Sequence, residues 1–227
     1  MPTLLKNITE VKNRIAQAAI SHSRNNHSVH LLAASKTQPS NIIRQAYQYS
    51  VTNFGENYLQ EALEKQNQLR DLEIIWHFIG SIQSNKTRDI AENFCWAHTV
   101  DRFKIAERLS QQRPKNMPPL NICLQVNLDE ESTKSGCTIE ELAELAQKII
   151  QLPRITLRGL MVIPLRTTNE LTQNATFAQL NLLKQQLNLN LDTLSMGMSH
   201  DLEPAIAQGA TWVRIGTAIF GKRNVKY

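Results

Sequence analysis

Cysteine is scarce in this chain, with three among 227 residues. Cys95, Cys123 and Cys137 are an odd set without metal-ligand spacing. That argues against a disulfide framework or a metal site, and for free thiols in a reducing, cytoplasmic setting. Long apolar runs are missing too, so no segment reads as a membrane span. The first residues carry neither a signal-like apolar core nor a cleavage site. Aromatic residues reach only 6%, although a hydrophobic content of 41% suits an ordinary soluble core. Lysine and arginine outnumber aspartate and glutamate by 25 to 20, a net charge of +5. The basic residues are scattered among acids, with no run of five and no interleaved aromatics, so nucleic-acid binding is not expected. An anionic partner is permitted, and a phosphate-bearing small molecule fits that charge equally well. No Pro-, Gly- or Ser-rich linker divides the sequence, and one domain over residues 1–227 is expected.

What is present is a repeated unit: an apolar strand-like run, a polar turn, then an amphipathic stretch. The strand candidates are His30–Ser35, Thr52–Gly55, Ile74–Gly80, Cys95–Val100, Asn121–Asn127, Thr156–Pro164, Thr193–Met196 and Trp212–Gly216. The clearest helix is Thr138–Leu152, where Thr138 and Glu141 have capping-box spacing. Ile139, Leu142, Ala143, Ala146, Ile149 and Ile150 fall on one of its faces. An extra amphipathic helix from Leu4 to about Ala19 precedes the first strand, with Leu4, Ile8, Val11 and Ile15 on one side. Eight strands alternating with helices predict an α/β fold, a closed (β/α)8 TIM barrel with an added N-terminal helix. An open doubly wound sheet is the alternative, but no Gly-x-Gly-x-x-Gly follows the first strand.

Strand alternation then sorts side chains into those facing the helices and those facing the barrel interior. Leu32, Ala34 and Lys36 share one face of the first strand. An amine on a core-facing side loses hydration, which lowers its pKa and frees its lone pair for attack on a carbonyl. Taken alone, a lysine there reads as a surface group just past a strand. In the fifth strand Ile122, Leu124 and Val126 face the helices, while Cys123, Gln125 and Asn127 point inward. In the eighth, Val213 and Ile215 face out and Arg214 points in, where it needs either a ligand or a structural ion pair.

A barrel brings the C-terminal ends of its strands to one face, where active sites of this fold sit. Lys36, Asn57, His77, Gly80, Asn127, Met161, Ser195–Ser199, Arg214, Gly216 and Thr217 are expected there. Ser195-Met-Gly-Met-Ser-His-Asp201 leads into a helix containing Pro204, so Ser199 and the next N–H groups lie at a helix N-terminus. Gly216-Thr217 closes the neighbouring strand, and glycine lets the backbone approach a dianion. Each segment alone is equally a tight turn. Together, opposite an inward lysine, they describe a site for a phosphorylated aldehyde.

The segments Leu32-Ala-Ala-Ser-Lys-Thr37, Phe54-Gly-Glu-Asn-Tyr58 and His77-Phe-Ile-Gly-Ser-Ile-Gln-Ser-Asn-Lys86 resemble the pyridoxal phosphate homeostasis protein family. So do Val100-Asp-Arg102, Lys134-Ser-Gly136, Gly159-Leu-Met161, Leu194–Asp201 and Val213–Gly221, in matching order over nearly the whole chain. Ser81 falls where many relatives carry proline. The resemblance implies a single-domain barrel similar to the N-terminal domain of bacterial alanine racemase, holding pyridoxal 5′-phosphate as an internal aldimine. It implies that Lys36 is the Schiff-base lysine and that Ser199, Gly216 and Thr217 contact the phosphate. Arg214 would face the pyridine nitrogen, and Asn57 and Met196 would line the pocket. Lys134 is a candidate for a secondary, weaker contact; otherwise it is a solvated loop lysine.

An arginine at the ring nitrogen stays charged, so the ring remains a poor electron sink. The expectation is therefore a cytoplasmic carrier or buffer of pyridoxal 5′-phosphate, without a catalytic residue or a metal, serving pyridoxal phosphate-dependent apoenzymes. The alternative is a pyridoxal phosphate-dependent amino-acid racemase. By the resemblance, two-domain racemases add an all-β domain and a partner's tyrosine, for which a chain ending at Tyr227 leaves no room. That also favours a monomer. His77 and Tyr58 are candidate in-chain proton carriers, with a core or loop role expected for each.

Overall fold

The computed structural model describes residues 2–128, 135–165 and 167–221. Its eight strands are β1 (His30–Ala34), β2 (Asn53–Glu56), β3 (Ile75–Phe78), β4 (Trp96–Val100), β5 (Leu120–Gln125), β6 (Ile155–Met161), β7 (Thr193–Ser195) and β8 (Trp212–Ile215). They pair in parallel in sequence order, and β8 closes on β1 through His30↔Trp212, Leu31↔Val213, Leu32↔Arg214 and Ala33↔Ile215. The result is a (β/α)8 barrel, as the alternation of runs predicts. The helices are α1 (Pro2–Ser21), α2 (Ser40–Gln48), α3 (Leu59–Gln68), α4 (Thr87–Asn93), α5 (Phe103–Gln112), α6 (Ile139–Ile149), α7 (Glu170–Gln186), α8 (Leu202–Ala207) and α9 (Thr217–Phe220).

The extra helix α1 buries Ile8, Val11, Ile15, Ala18 and Ala19. It packs on α8 and α9, and Asn7 Nδ2 donates to the Ile219 carbonyl at 2.9 Å. The capping box of α6 is formed: Glu141 N–H donates to Thr138 Oγ1 at 3.3 Å, and Thr138 N–H donates to Glu141 Oε2 at 3.1 Å. Thr138→Ala is expected to cost about 1 kcal/mol, read as a lower urea midpoint at unchanged slope.

Alternation divides the core into two layers. Ala33, Phe54, Ile122, Leu124, Val213 and Ile215 belong to the large outer layer between barrel and helices. Leu32, Ile79, Trp96, Cys123, Met161 and Trp212 fill the barrel interior, with Ala34 against them. Side chains thus plug the barrel, so any ligand must sit at a mouth rather than pass through. Gly159 allows β6 and β7 to close, since a Cβ there would stand 1.8 Å from the Thr193 carbonyl oxygen.

Candidate functional site

Three neighbouring strands bring the predicted phosphate and amine groups together. Lys36 follows β1 by two residues, Gly216 follows β8 directly, and Ser199 lies in the loop after β7. These strands are adjacent in the closed sheet, so all three residues stand at the C-terminal mouth. Two contacts tie the segments together. Ala218 N–H donates to Ser199 Oγ at 3.3 Å, joining the β7 loop to the first turn of α9. A Cβ on Gly216 would stand 3.3 Å from the Ala34 carbonyl oxygen, so glycine lets β8 end hard against β1. Thr217, next to it, is exposed and opens α9. Its N–H has no acceptor within the helix, as for any first helical residue. Gly197 has φ +90, and a Cβ there would meet Ala205 Cβ at 2.6 Å, so glycine is what turns the chain sharply from β7 toward α8.

Arg214 is 5% exposed and points into the barrel, as the parity of β8 predicts. Its Nη1 donates to Ser195 Oγ at 2.9 Å and its Nη2 to the Val162 carbonyl at 2.8 Å. Burial pulls its pKa down to about 10, against the opposing charge of Asp201. A guanidinium at that value is still charged at neutral pH. Two of its five N–H groups are committed to the protein, and the fork is fixed in direction by them.

Behind Arg214 a chain of buried polar groups crosses the barrel interior. His98 Nδ1 lies 2.8 Å from Ser195 Oγ, His98 Nε2 lies 2.9 Å from His77 Nδ1, and His77 Nε2 lies 3.0 Å from Asn53 Oδ1. Asn53 Oδ1 can only accept, so with both rings neutral the order of protons follows. Ser195 accepts from Arg214 and donates to His98 Nδ1; His98 donates through Nε2 to His77, and His77 through Nε2 to Asn53. Both rings are neutral in this arrangement. Burial drives His98 down to about 3, aided by the Arg214 charge, and holds His77 well below its ordinary value. His77 stacks on Trp96 at 5.6 Å and is fully enclosed. It therefore belongs to the barrel core and not to the mouth, which corrects its expected place among the site residues.

On the other side of the mouth lies a cavity of about 200 Å³, lined by Asn57, Gly80, Thr99, Gln125, Asn127 and Ile163 among others. Asn57 Nδ2 donates to the Ile79 carbonyl at 3.4 Å. Its Oδ1 is buried and, among the described residues, has no hydrogen-bond partner, which leaves an acceptor available to a ligand. Gln125 Nε2 donates to the Ser135 carbonyl, fixing the inward amide of β5. Tyr58, after Asn57, is 56% exposed.

Met196 is placed differently from the expectation. It is fully buried in the outer layer, because the alternation that turns Ser195 toward Arg214 turns the next side chain to the helices. Lys134 lies outside the described residues. The sequence marks Ser195 only as the start of the Ser195–Ser199 segment and does not mark His98, although both occupy inward parity, His98 two residues after Trp96. Polar residues inside strands signalled them; only the three-dimensional pairing shows that they meet Arg214.

A profile of the alanine racemase N-terminal domain matches residues 5–224 of the chain. The pyridoxal phosphate homeostasis protein of Pseudomonas aeruginosa is 58% identical over 224 residues, covering 99% of this chain and 97% of that one. The protein of the same name from Escherichia coli K12 is 44% identical over 230 residues, covering 99% and 98%. The chain belongs to the pyridoxal phosphate homeostasis protein family. Among solved structures, Synechococcus elongatus PipY with pyridoxal phosphate bound is 41% identical, with a TM-score of 0.81, over 91% of this chain and 100% of that chain. An alanine racemase from Clostridium difficile superposes with a TM-score of 0.78 at 12% identity, covering 58% of its length, and shares the fold.

Proposed function

We propose that this protein binds pyridoxal 5′-phosphate at the C-terminal mouth of its barrel, through Lys36, and acts as a carrier or buffer of it. The observation that carries the reading is the grouping of Lys36, Ser199, Gly216 and Arg214 on three adjacent strands. Bound there, the cofactor supplies an aldehyde carbon with which an amine condenses, with loss of water. The residues present fit it. Ser199 and the Thr217 amide offer hydrogen-bond donors to a phosphate, and Gly216 lets the backbone close in. Arg214, charged at neutral pH, would face the ring nitrogen and would not give up its proton. Asn57 Oδ1 offers an acceptor to a ligand hydroxyl. Met196 supports this pocket from the outer layer rather than lining it.

Holding is favoured over turnover by two features. A guanidinium at the ring nitrogen leaves the ring a poor electron sink, so a carbanion next to it gains little. His77 is sealed in the core between His98 and Asn53 and is not placed to move a proton at the mouth. Solved relatives include a protein recorded both with and without pyridoxal phosphate, in keeping with reversible loading. The reading extends to a single-domain monomer in the cytoplasm that passes its cargo to pyridoxal phosphate-dependent apoenzymes. The free thiols Cys95, Cys123 and Cys137 suit that compartment. No described helix is long and apolar enough to cross a membrane.

The test is to incubate loaded protein with L- and D-amino acids in deuterated water. Deuterium at the α-carbon is expected no faster than with free pyridoxal 5′-phosphate. Steady incorporation above that level, lost in Lys36→Ala, would instead establish the racemase-like alternative.

A further inference from the structure

We infer that Lys65, Glu56 and Glu61 are positioning residues that clamp the turn carrying Lys36 and so set the reach of its amine. The inference rests on Lys36 being the point of attachment proposed above. Lys36 lies in a four-residue turn, Ser35–Gln38, closed by Gln38 N–H donating to the Ser35 carbonyl at 2.9 Å. The next residue, Thr37, has φ +66. A type II turn demands positive φ at its third residue, which is why glycine is usual there. A β-branched residue adopts that conformation least readily. Something must therefore hold the backbone on either side of Lys36.

What holds it is a buried cluster of one ammonium and two carboxylates. Lys65 is 5% exposed and Glu56 is fully buried, while the Glu61 side chain is 30% exposed. Lys65 Nζ donates to Glu56 Oε1 at 2.8 Å, to Glu61 Oε1 at 2.5 Å and to the Ser35 carbonyl at 2.9 Å. Its three protons are matched to three acceptors. Ser35 Oγ donates to Glu56 Oε1 at 2.6 Å, and Thr37 N–H donates to Glu61 Oε1 at 2.6 Å. The cluster thus grips the residue before Lys36 twice and the residue after it once. Burial raises the Glu56 pKa against the pull of Lys65, a sign that the cluster is held under desolvation.

The side from which it grips matters. Ser35 and Glu56 follow the outward parity of β1 and β2, so the cluster lies between the barrel and α3. Lys36, just past the end of β1, is gripped through both of its neighbours. Its backbone is thereby fixed from the outer side of the sheet. A buried charge cluster is a poor way to gain stability alone, because desolvation offsets much of the attraction. Apolar packing could join β2 to α3 equally well, but it offers no acceptor for Thr37 N–H and no donor for the Ser35 carbonyl. Lys65 shares a helical face with Leu59, Ala62 and Leu69, all buried, so α3 presents an amine where a core residue would serve packing alone.

The bond concerned joins Lys36 Nζ to the aldehyde carbon; the aldehyde oxygen leaves as water with the two amine protons. The experiment titrates wild type, Glu61→Ala, Glu61→Gln and Thr37→Gly/Glu61→Ala with pyridoxal 5′-phosphate. It reads the absorbance of the linked form and the borohydride-fixed mass on the Lys36 peptide, with thermal melts to establish folding. Glu61→Ala is expected to weaken covalent binding about tenfold, the scale of one lost charge-assisted hydrogen bond. Glu61→Gln, which keeps an acceptor oxygen, should fall between it and wild type. Thr37→Gly on the Glu61→Ala background should recover most of the loss, because glycine takes φ +66 without help. A role confined to fold stability would move the melts and give no such recovery. Unchanged binding in Glu61→Ala, or a loss that Thr37→Gly does not restore, overturns the clamp while leaving the binding site intact. A wild type that takes no label on Lys36 overturns the binding reading, and the clamp with it.

Discussion

Lys36→Ala is expected to abolish covalent retention of pyridoxal 5′-phosphate. Borohydride reduction of the loaded wild type should leave its mass label on the peptide containing Lys36, and the variant should carry none. Reversible binding through Ser199, Gly216, Thr217 and Arg214 should persist, weakened about 100-fold, equivalent to about 2.7 kcal/mol. The reason for persistence is that the anion donors and the guanidinium are built on other strands. Ser199 is held by Ala218 N–H and Arg214 by Ser195 and Val162, and none of these contacts involves Lys36. The pair of outcomes therefore separates the attachment point from the cup. A wild-type label on another lysine would overturn the assignment, and complete loss of reversible binding in Lys36→Ala would mean that the cup is not independent.

The barrel was legible because its signals are local and repeated. Each of the eight runs recurs within a few residues of its expected bounds, and the parity of β1, β5 and β8 sorted Leu32, Cys123 and Arg214 inward as found. The capping box of α6 was readable for the same reason: four consecutive residues specify it. The Lys36 and Gly216 ends were readable once a closed sheet was assumed, since closure alone makes β1 and β8 neighbours. Other parts of the site depend on which side chain meets which across the barrel. His77 was grouped at the mouth with Gly80 of the same run, yet it sits in the middle of that run and its ring reaches Asn53 and His98 in the core. Met196 followed the motif, whereas alternation gives the inward direction to Ser195. The Lys65 cluster combines a strand residue, two helix residues and two turn residues, so no single window of sequence contains it.

The two core histidines carry the other large effect, a loss of stability in mild acid. His77 and His98 are fully buried and stay neutral in the native state, with His98 driven down to about 3 and His77 held low in the same direction. In the unfolded chain each returns to about 6.5. Between those values the unfolded state binds protons that the native state refuses. Stability is thus fully present above pH 6.5 and is lost as pH falls toward the native values, by about 1.4 kcal/mol per pH unit for each histidine. From pH 7 to pH 5 the pair should remove about 4 kcal/mol, a large share of the 5–15 kcal/mol typical of a domain. Glu56 acts in the opposite sense, since burial raises its pKa and protonation then favours the native state. It supplies one proton against two, so the histidines decide the sign. Urea midpoints at pH 7, 6 and 5 should fall steadily, and His98→Gln should show about half the slope whatever its stability at pH 7. A flat profile between pH 7 and pH 5 would show that the rings accept protons in place, and would undo the proton order assigned from Arg214 through Ser195 to Asn53.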